Sequence, residues 1–296
     1  MACRRSQVRS LSGPPFEKVR PSRRTLFYIA SDSPPWCCHV LGFGENCINR
    51  KIMPVPTLYT NGSYLLKNPS WHREDAPWKL SHILRVLNSI HVTQMTRVLD
   101  AGCGTGDIIK LWSQKSPEVQ FVGWEVSPQA YMLARADEPH NVKFVCAPEP
   151  PAGWFDLVLA IDVIEHLEHP DAWFKNLSSH ASLFVLHVPL DLSVRSFLFP
   201  SLLERERQTV GHIHFFTARS LKQFLQKNNC QILSMHYTNK YVERPPKLTS
   251  WKSRLGMCIR QLAHKLLPHA WAAFWIGGYS LIVVAKTNRD TTLAKV

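Results

Sequence analysis

Short apolar runs recur along most of the chain, and amphipathic stretches separate them. Seven runs have the length of buried strands: 98–100, 120–124, 142–146, 155–161, 181–188, 230–237 and 279–285. Between most of them, apolar side chains recur at helical spacing. Strands that alternate with helices specify an open parallel sheet with right-handed crossovers. The sequence therefore predicts an α/β fold with a Rossmann-like, seven-stranded, mostly parallel sheet and helices on both faces.

The first strand ends in an acid and leads into a glycine-rich turn, Gly102-Cys103-Gly104-Thr105-Gly106. Glycine has no Cβ, so the backbone of such a turn can approach a ligand closely. The spacing G-x-G-x-G differs from the dinucleotide pattern G-x-G-x-x-G, and no P-loop G-K-[ST] follows. Asp100, directly before the turn, would repel a pyrophosphate. Its carboxylate suits a cationic amino-acid ligand.

A second acid stands at the tip of the next strand. Glu125 follows the glycines by about 20 residues, the spacing at which an acid binds ribose hydroxyls. Trp124 precedes this acid in a strand, where core packing is the default for a tryptophan, and the alternative is that its ring stacks near an adenine. Together the glycine turn and Glu125 predict a nucleoside-binding site.

The run D-x-G-x-G-x-G resembles motif I of class I S-adenosylmethionine methyltransferases. This resemblance implies S-adenosyl-L-methionine as the cofactor and an antiparallel last strand. It also implies a set of cofactor contacts: Asp100, Gly102, Cys103, Gly104, Gly106, Trp124, Glu125, Ala147 and Asp162. Ala147 and Asp162 would contact the cofactor through their backbone.

Two histidine segments are candidates for the chemistry. Asp162-x-x-Glu165-His166 follows the fourth strand, and Gly211-His212-Ile213-His214 precedes a later helix. Over residues 90–235 both are similar to segments of the ubiquinone-biosynthesis O-methyltransferases. That resemblance implies a small-molecule acceptor, and a general base is needed where the acceptor must lose a proton. His166 or His212 is the expected catalytic base.

The same segments admit a metal. By the resemblance, Asp162, Glu165 and His166 would hold a divalent cation, and His212 or His214 would complete the set. A similar pattern occurs in small-RNA 2′-O-methyltransferases, which makes a metal-assisted RNA 2′-O-methyltransferase an alternative. A further alternative is that Glu165 and His166 only order the loop, without metal.

The charge of the chain is concentrated at its two ends. The formal net charge is +13, with +6 in residues 1–60, −1 in residues 61–239 and +8 in residues 240–296. A nearly neutral central region argues against a nucleic-acid platform. Basic ends leave room for an anionic substrate or membrane surface.

Three regions are predicted. Residues 1–58 form a basic leader, interpreted as a disordered tail, an organellar presequence or a start-site artefact. Residues 59–92 form a cap segment and helix, and residues 93–296 form the methyltransferase domain with an insertion at 189–211. The cysteines fit no zinc pattern, which predicts reduced thiols and a cytoplasmic protein, or a mitochondrial one if the leader is a presequence.

Residues 245–268 predict a basic amphipathic helix. Its apolar positions fall on one face: Trp251, Leu255, Cys258, Ile259, Leu262 and Leu266. Such a helix can lie on an anionic membrane, cover the substrate pocket, or dock on the sheet with its lysines in water. No apolar run is long enough to span a bilayer.

The sequence identifies neither the methyl acceptor nor the oligomeric state. A non-catalytic subunit that binds S-adenosylmethionine is an alternative to an enzyme.

Overall fold

A computed structural model describes residues 63–92, 94–247 and 250–288. The predictions for the leader at 1–58 lie outside these residues. Within them, the fold is the expected one.

The sheet has seven strands in the order β3-β2-β1-β4-β5-β7-β6. Strand β7 pairs antiparallel with both β5 and β6, and the remaining neighbours are parallel. This arrangement confirms the Rossmann-like sheet and its antiparallel last strand. The strands are β1 (Arg97–Ala101), β2 (Gln120–Glu125), β3 (Val142–Cys146), β4 (Leu157–Ile161), β5 (Leu183–Leu190), β6 (Cys230–Thr238) and β7 (Tyr279–Thr287).

Eleven α-helices surround the sheet in the described part of the chain. They are α1 (Ser63–Lys67), α2 (Ala76–Ser89), α3 (Asp107–Ser113), α4 (Pro128–Arg135), α5 (Pro170–Leu177), α6 (Val194–Leu198), α7 (Ser201–Thr209), α8 (Ala218–Lys227), α9 (Lys240–Glu243), α10 (Trp251–Leu266) and α11 (His269–Ile276). Short 3-10 turns lie at Arg73–Asp75 and Ile164–His166.

Local sequence signals explain where several helices begin. Pro77 lies in the first turn of α2, where its missing N–H costs nothing. Ser127 and Thr217 cap α4 and α8 by accepting backbone N–H groups through their side chains. The insertion at 189–211 contains α6 and α7, and the predicted amphipathic helix is α10.

The apolar core lies on both faces of the sheet. Strand β4 is buried along its whole length, as a central parallel strand must be. One cluster of buried side chains includes Phe174 and Phe184, and the other includes Ile83 and Phe121. None of the described helices is both long and apolar enough to cross a bilayer. This packing fixes the carboxyl ends of β1, β2, β4 and β5, where the candidate site lies.

Candidate active site

A cavity of about 360 Å³ opens at the carboxyl ends of the central strands. Ligands of open α/β sheets bind at this edge, and the volume suits a nucleoside-sized molecule. The cap segment before α2 contributes Trp71, His72 and Asp75 to its wall. The predicted site residues that line it are Asp100, Gly102, Cys103, Gly104, Glu125, Asp162, Glu165, His166 and His212.

The glycine turn forms one wall of the cavity. The backbone N–H groups of Gly102 and Cys103 donate to the Trp124 carbonyl at 2.8 and 3.1 Å. Gly104 has a φ of +56°, and a Cβ built on it meets no atom within 4 Å. A Cβ on Gly106 would lie 2.3 Å from the Phe144 ring, so this glycine is required by packing against the neighbouring side chain. The open space at Gly104 is the space that a bound ligand would use.

Glu125 connects the two predicted halves of the nucleoside site. Its Oε2 accepts the Gly104 N–H at 2.8 Å, and its Oε1 accepts the N–H groups of Val126 and Ser127 at 2.8 and 2.7 Å. Burial raises the pKa of the Glu125 carboxyl, although these three hydrogen bonds oppose the shift. Glu125 lines the cavity, as the ribose-contact prediction requires, and it also positions the glycine backbone.

Asp100 adds a second buried carboxyl to the same wall. Burial, together with the charge of Glu125, raises the pKa of Asp100 to about 7. Two buried acids that repel each other are stabilised by a cationic ligand. S-adenosylmethionine carries a sulfonium and an ammonium group, so the acids and the open glycine turn fit this cofactor.

The ring of Trp124 packs in the core, so the core-packing expectation is confirmed and the adenine-stacking alternative is wrong. Its ring stacks on Trp173 in the apolar core, with centroids 6.2 Å apart, and its Nε1–H donates to the Ala147 carbonyl at 2.8 Å. Neighbouring residues of a strand point to opposite faces, so Trp124 enters the core while Glu125 reaches the cavity. Ala147 is outside the cavity lining too, and its carbonyl accepts the indole hydrogen bond.

Asp162 lines the cavity at the end of β4, in a left-handed conformation with a φ of +56°. Its carboxylate lies 2.7 Å from Lys79 Nζ and 2.5 Å from His187 Nδ1. Burial would raise the pKa of Asp162, but Lys79 and His187 outweigh it and hold that pKa well below its usual range. The carboxylate is therefore engaged with two basic groups, and the four-residue metal set that includes Asp162 is not assembled.

Three of the predicted metal ligands do come together. The ligand atoms of Glu165, His166 and His212 lie within 4.8 Å of one another. Glu165 is completely buried, and both its carboxylate oxygens lack a hydrogen-bond partner among the described residues. Burial, followed by repulsion from Asp162, raises the pKa of this carboxyl well above its usual range. The nearest basic group is His166, whose Nε2 lies 3.9 Å from Glu165 Oε1, and a bound cation would stabilise the ionised form of this carboxyl.

The two candidate bases have different surroundings. His212 Nδ1 lies 2.8 Å from Asp191 Oδ2, so the ring donates to this carboxylate and keeps its lone pair on Nε2. His166 Nδ1 donates to the Gly211 carbonyl at 3.2 Å. Burial, and then the neighbouring His212, lower the pKa of His166 to about 3. Burial thus disfavours protonation of His166, whereas the Asp191 carboxylate orients the ring of His212.

The sequence pattern does not identify Lys79, His187 or Asp191 as site residues. Lys79 lies in a helix whose only sequence signal is its apolar stripe. His187 lies inside a buried strand, where a polar residue in an apolar run is the only signal. Asp191 lies 21 positions before His212, and no local pattern links them. Each acts through a partner that is distant in sequence.

Comparisons with known proteins agree with this geometry. A family model described as a methyltransferase domain matches residues 64–235, which is more than half of the chain. Comparison with curated proteins found no match. Among solved structures, the chain is similar to one from Haloferax volcanii, a complex of the Trm112 methyltransferase activator with a candidate methyltransferase. The sequence identity is 11% and the TM-score is 0.55, and the match covers 80% of this chain and 98% of that one. The plantazolicin methyltransferase BpumL, solved with SAH, is 16% identical, with a TM-score of 0.49 and coverages of 77% and 89%.

The similarity to the Haloferax protein concerns the fold. The family match covers the glycine turn, Glu125 and both histidine segments. The cofactor is S-adenosylmethionine, which the open turn at Gly104 and the two buried acids fit. The chain belongs to the methyltransferase-domain family.

Proposed function

We propose that this chain transfers a methyl group to a hydroxyl oxygen of a small acceptor, with His212 as the general base. The observation that carries the proposal is the contact between His212 and Asp191, because His212 lines the same cavity as the glycine turn and Glu125. S-adenosylmethionine supplies the activated methyl group when bound. The protein must then align the acceptor, exclude water and remove the hydroxyl proton.

The geometry supports a division of labour between these two residues. His212 lines the cavity, and its Nε2 can take the acceptor proton. Asp191 is a positioning residue, because its carboxylate fixes the tautomer of His212 and stabilises the imidazolium that forms. An acceptor of the phenol type, with a pKa near about 10, benefits most from such a base.

Turnover of His212→Gln tests the proposal. The assay measures S-adenosylhomocysteine release with a panel of phenols, alcohols and amines. We expect phenol turnover to fall by about 10²–10³-fold in His212→Gln, because general-base catalysis contributes this much. The exposed His140→Gln variant is the matched control and should retain full turnover. Unchanged turnover in His212→Gln, or methylation restricted to amines, would refute the proposal.

Asp191→Asn tests the positioning role separately. The amide keeps the shape of the carboxyl but cannot stabilise an imidazolium. We expect lower kcat and a shifted pH–rate profile, with little change in KM for S-adenosylmethionine. If S-adenosylmethionine binds normally and no acceptor of any class is methylated, the non-catalytic subunit becomes the better interpretation.

A metal-assisted transfer to an RNA terminus is the second candidate. The buried carboxyl of Glu165 favours it, because its oxygens have no hydrogen-bond partner among the described residues and lie near His166 and His212. Carboxylate and imidazole ligands suit Mg²⁺ or Zn²⁺, and a bound cation would lower the pKa of a ribose hydroxyl. Chelator treatment followed by metal add-back distinguishes the two candidates. Turnover that survives chelation supports the metal-free reaction, whereas metal-restored activity on an RNA 3′ end supports the second candidate.

A further inference from the structure

Helix α10 turns its apolar face away from the protein. Leu255, Ile259, Leu262 and Leu266 lie on one side of the helix, and all four are exposed, with 59% of Leu262 and 67% of Leu266 accessible to solvent. Surface helices of globular proteins normally bury this face. The interpretation that α10 docks on the sheet through its apolar stripe is therefore wrong.

The opposite side of α10 holds the helix in place. Met257 and Ala263 are buried there, and Arg260 donates to the Gly277 carbonyl at 2.6 Å. The guanidinium of Arg260 also lies 5.1 Å from the centroid of the Tyr241 ring. The outward stripe is thus a consequence of specific packing on the other side. Within the described residues, no part of α10 lines the cavity, so the helix does not cover the pocket.

Helix α11, which contacts α10, also exposes apolar side chains. Two of its three alanines, Ala272 and Ala273, are buried in the core, and Trp271, Phe274 and Trp275 face outward on the other side. Helix α6 packs against α11 and exposes Phe197. We call the outward side chains of α10 and α11 the apolar surface: Leu255, Ile259, Leu262, Leu266, Trp271, Phe274 and Trp275. Exposed apolar patches of this kind mark interaction sites.

The segment that carries the apolar surface has charged side chains of one sign, although Glu243 directly precedes it. Residues 244–276 contain six Lys and Arg residues and no Asp or Glu. On α10, Arg254 and Lys265 are exposed and border the stripe. Long basic side chains beside an apolar face can keep their charges at lipid headgroups while their stems remain apolar. Tryptophan is enriched at the same depth of a bilayer.

We propose that the apolar surface binds an anionic lipid bilayer, with α10 and α11 lying in the plane of its headgroups. Leucine and aromatic side chains enter the acyl boundary, and Arg254 and Lys265 contact acidic headgroups. A second copy of this chain is a poorer partner, because it would bring the same positive charge to the contact. The inference is independent of the methyl acceptor.

Co-sedimentation with lipid vesicles tests this inference. The full chain is mixed with vesicles of phosphatidylcholine alone or of phosphatidylcholine with phosphatidylserine. We expect binding to the phosphatidylserine vesicles and little binding to the neutral ones. The double variant Leu255→Gln/Leu262→Gln should bind at least about tenfold more weakly, since two buried leucines are lost. Arg254→Gln/Lys265→Gln should lose about fivefold per charge and should respond less to added salt.

Matched substitutions elsewhere control for changes in fold and surface. Met132→Gln replaces another exposed apolar side chain, and Lys222→Gln another exposed lysine; both should bind like the unaltered chain. Thermal unfolding of every variant verifies the fold. The inference is overturned if the unaltered chain does not bind, or if Met132→Gln weakens binding as much as the stripe variant. It is also overturned if the chain is a dimer that the stripe variant converts into monomers without any vesicle binding.

Discussion

The carboxylate of Glu125 accepts the backbone N–H of Gly104 at 2.8 Å, and this bond ties the end of β2 to the glycine turn after β1. The two residues are 21 positions apart in the chain, yet they form adjoining parts of one wall. The side chain that the sequence predicts as the ribose contact therefore also fixes the backbone beside it. This coupling makes Glu125 more sensitive to substitution than a ribose contact alone would be.

We expect Glu125→Ala to weaken S-adenosylmethionine binding by at least about tenfold, because hydrogen bonds to a charged group contribute about 1.5–3 kcal/mol. The lost bond to Gly104 adds to this effect by freeing the turn. Isothermal titration calorimetry measures the change. Glu118→Ala removes an exposed acid outside the cavity and should leave Kd unaltered. Equal affinities in the two variants would show that Glu125 does not contact the cofactor.

Gly104→Ala tests the open space of the turn. The added methyl group meets no protein atom within 4 Å, so its steric effect falls on the ligand. We expect Kd for S-adenosylmethionine to rise by about tenfold or more, with about 1 kcal/mol of destabilisation from the positive φ. Gly256→Ala is the matched control, because its new Cβ also meets nothing but lies in helix α10. This control should be slightly stabilised and should bind normally.

Asp100→Asn should stabilise the protein without cofactor while weakening cofactor binding. The pKa of Asp100 is raised to about 7 in the folded state, so folding favours the protonated carboxyl. The free energy of unfolding then falls as pH rises from about 4 to about 7, where the unfolded chain has already lost its proton. Each pKa unit corresponds to about 1.4 kcal/mol, so the variant should gain at least about 1 kcal/mol at neutral pH and above.

Urea denaturation of both forms at about pH 4 and about pH 8 measures this difference. The variant should exceed the unaltered protein in stability only at the higher pH. In the unaltered protein, S-adenosylmethionine should bind more weakly as the pH falls below about 7, because the cation prefers the ionised carboxyl. An equal stability difference at both pH values would contradict a buried acid with a raised pKa.

The cofactor half of the site could be predicted from the sequence because its determinants are local. Asp100 and the glycines are contiguous, and Glu125 ends the neighbouring strand. The strands themselves followed from apolar runs that a doubly covered parallel sheet requires. The acceptor half was harder to predict from the sequence. Its side chains are held by distant partners: His212 contacts Asp191 in the insertion, and Asp162 contacts Lys79 in a preceding helix. Such pairs form only when the topology brings distant segments together.

The apolar periodicity of α10 does not determine which face of the helix packs against the protein. An apolar stripe identifies which side chains share a helix face, but it does not say whether the protein covers that face. Here the alternative face, with Met257 and Ala263, packs inward. The orientation depends on tertiary contacts such as that of Arg260 with Gly277.

Trp124→Phe tests the core placement of this ring. The substitution removes the hydrogen bond to the Ala147 carbonyl and some contact with Trp173. We expect a loss of about 1–2 kcal/mol in the free energy of unfolding. Because the ring lies in the core and not in the cavity, Kd for S-adenosylmethionine should change by less than about threefold. A large loss of affinity with unaltered stability would restore the adenine-stacking interpretation.

The ion pair of Lys79 with Asp162 should contribute more to stability than an ion pair of the same length at the surface. Lys79 Nζ lies 2.7 Å from Asp162 Oδ2 beside the cavity, and Lys227 Nζ lies 2.7 Å from Asp171 Oδ2 in an exposed position. Removing one partner of a buried pair leaves the other charge without a counter-charge, which lowers stability, whereas water screens an exposed pair. We therefore expect Lys79→Met to lower the free energy of unfolding by about 2 kcal/mol near neutral pH and Lys227→Met to lower it by less than about 1 kcal/mol.

The stabilisation by this ion pair should also depend on pH. Since the pKa of Asp162 is held below its usual range, the contribution of its carboxylate to stability is present above about pH 4 and is lost as the pH falls further. The loss of stability in Lys79→Met, measured by urea denaturation, should therefore become smaller at acidic pH. Equal losses for the two variants at neutral pH would show that His187 alone is a sufficient partner for Asp162.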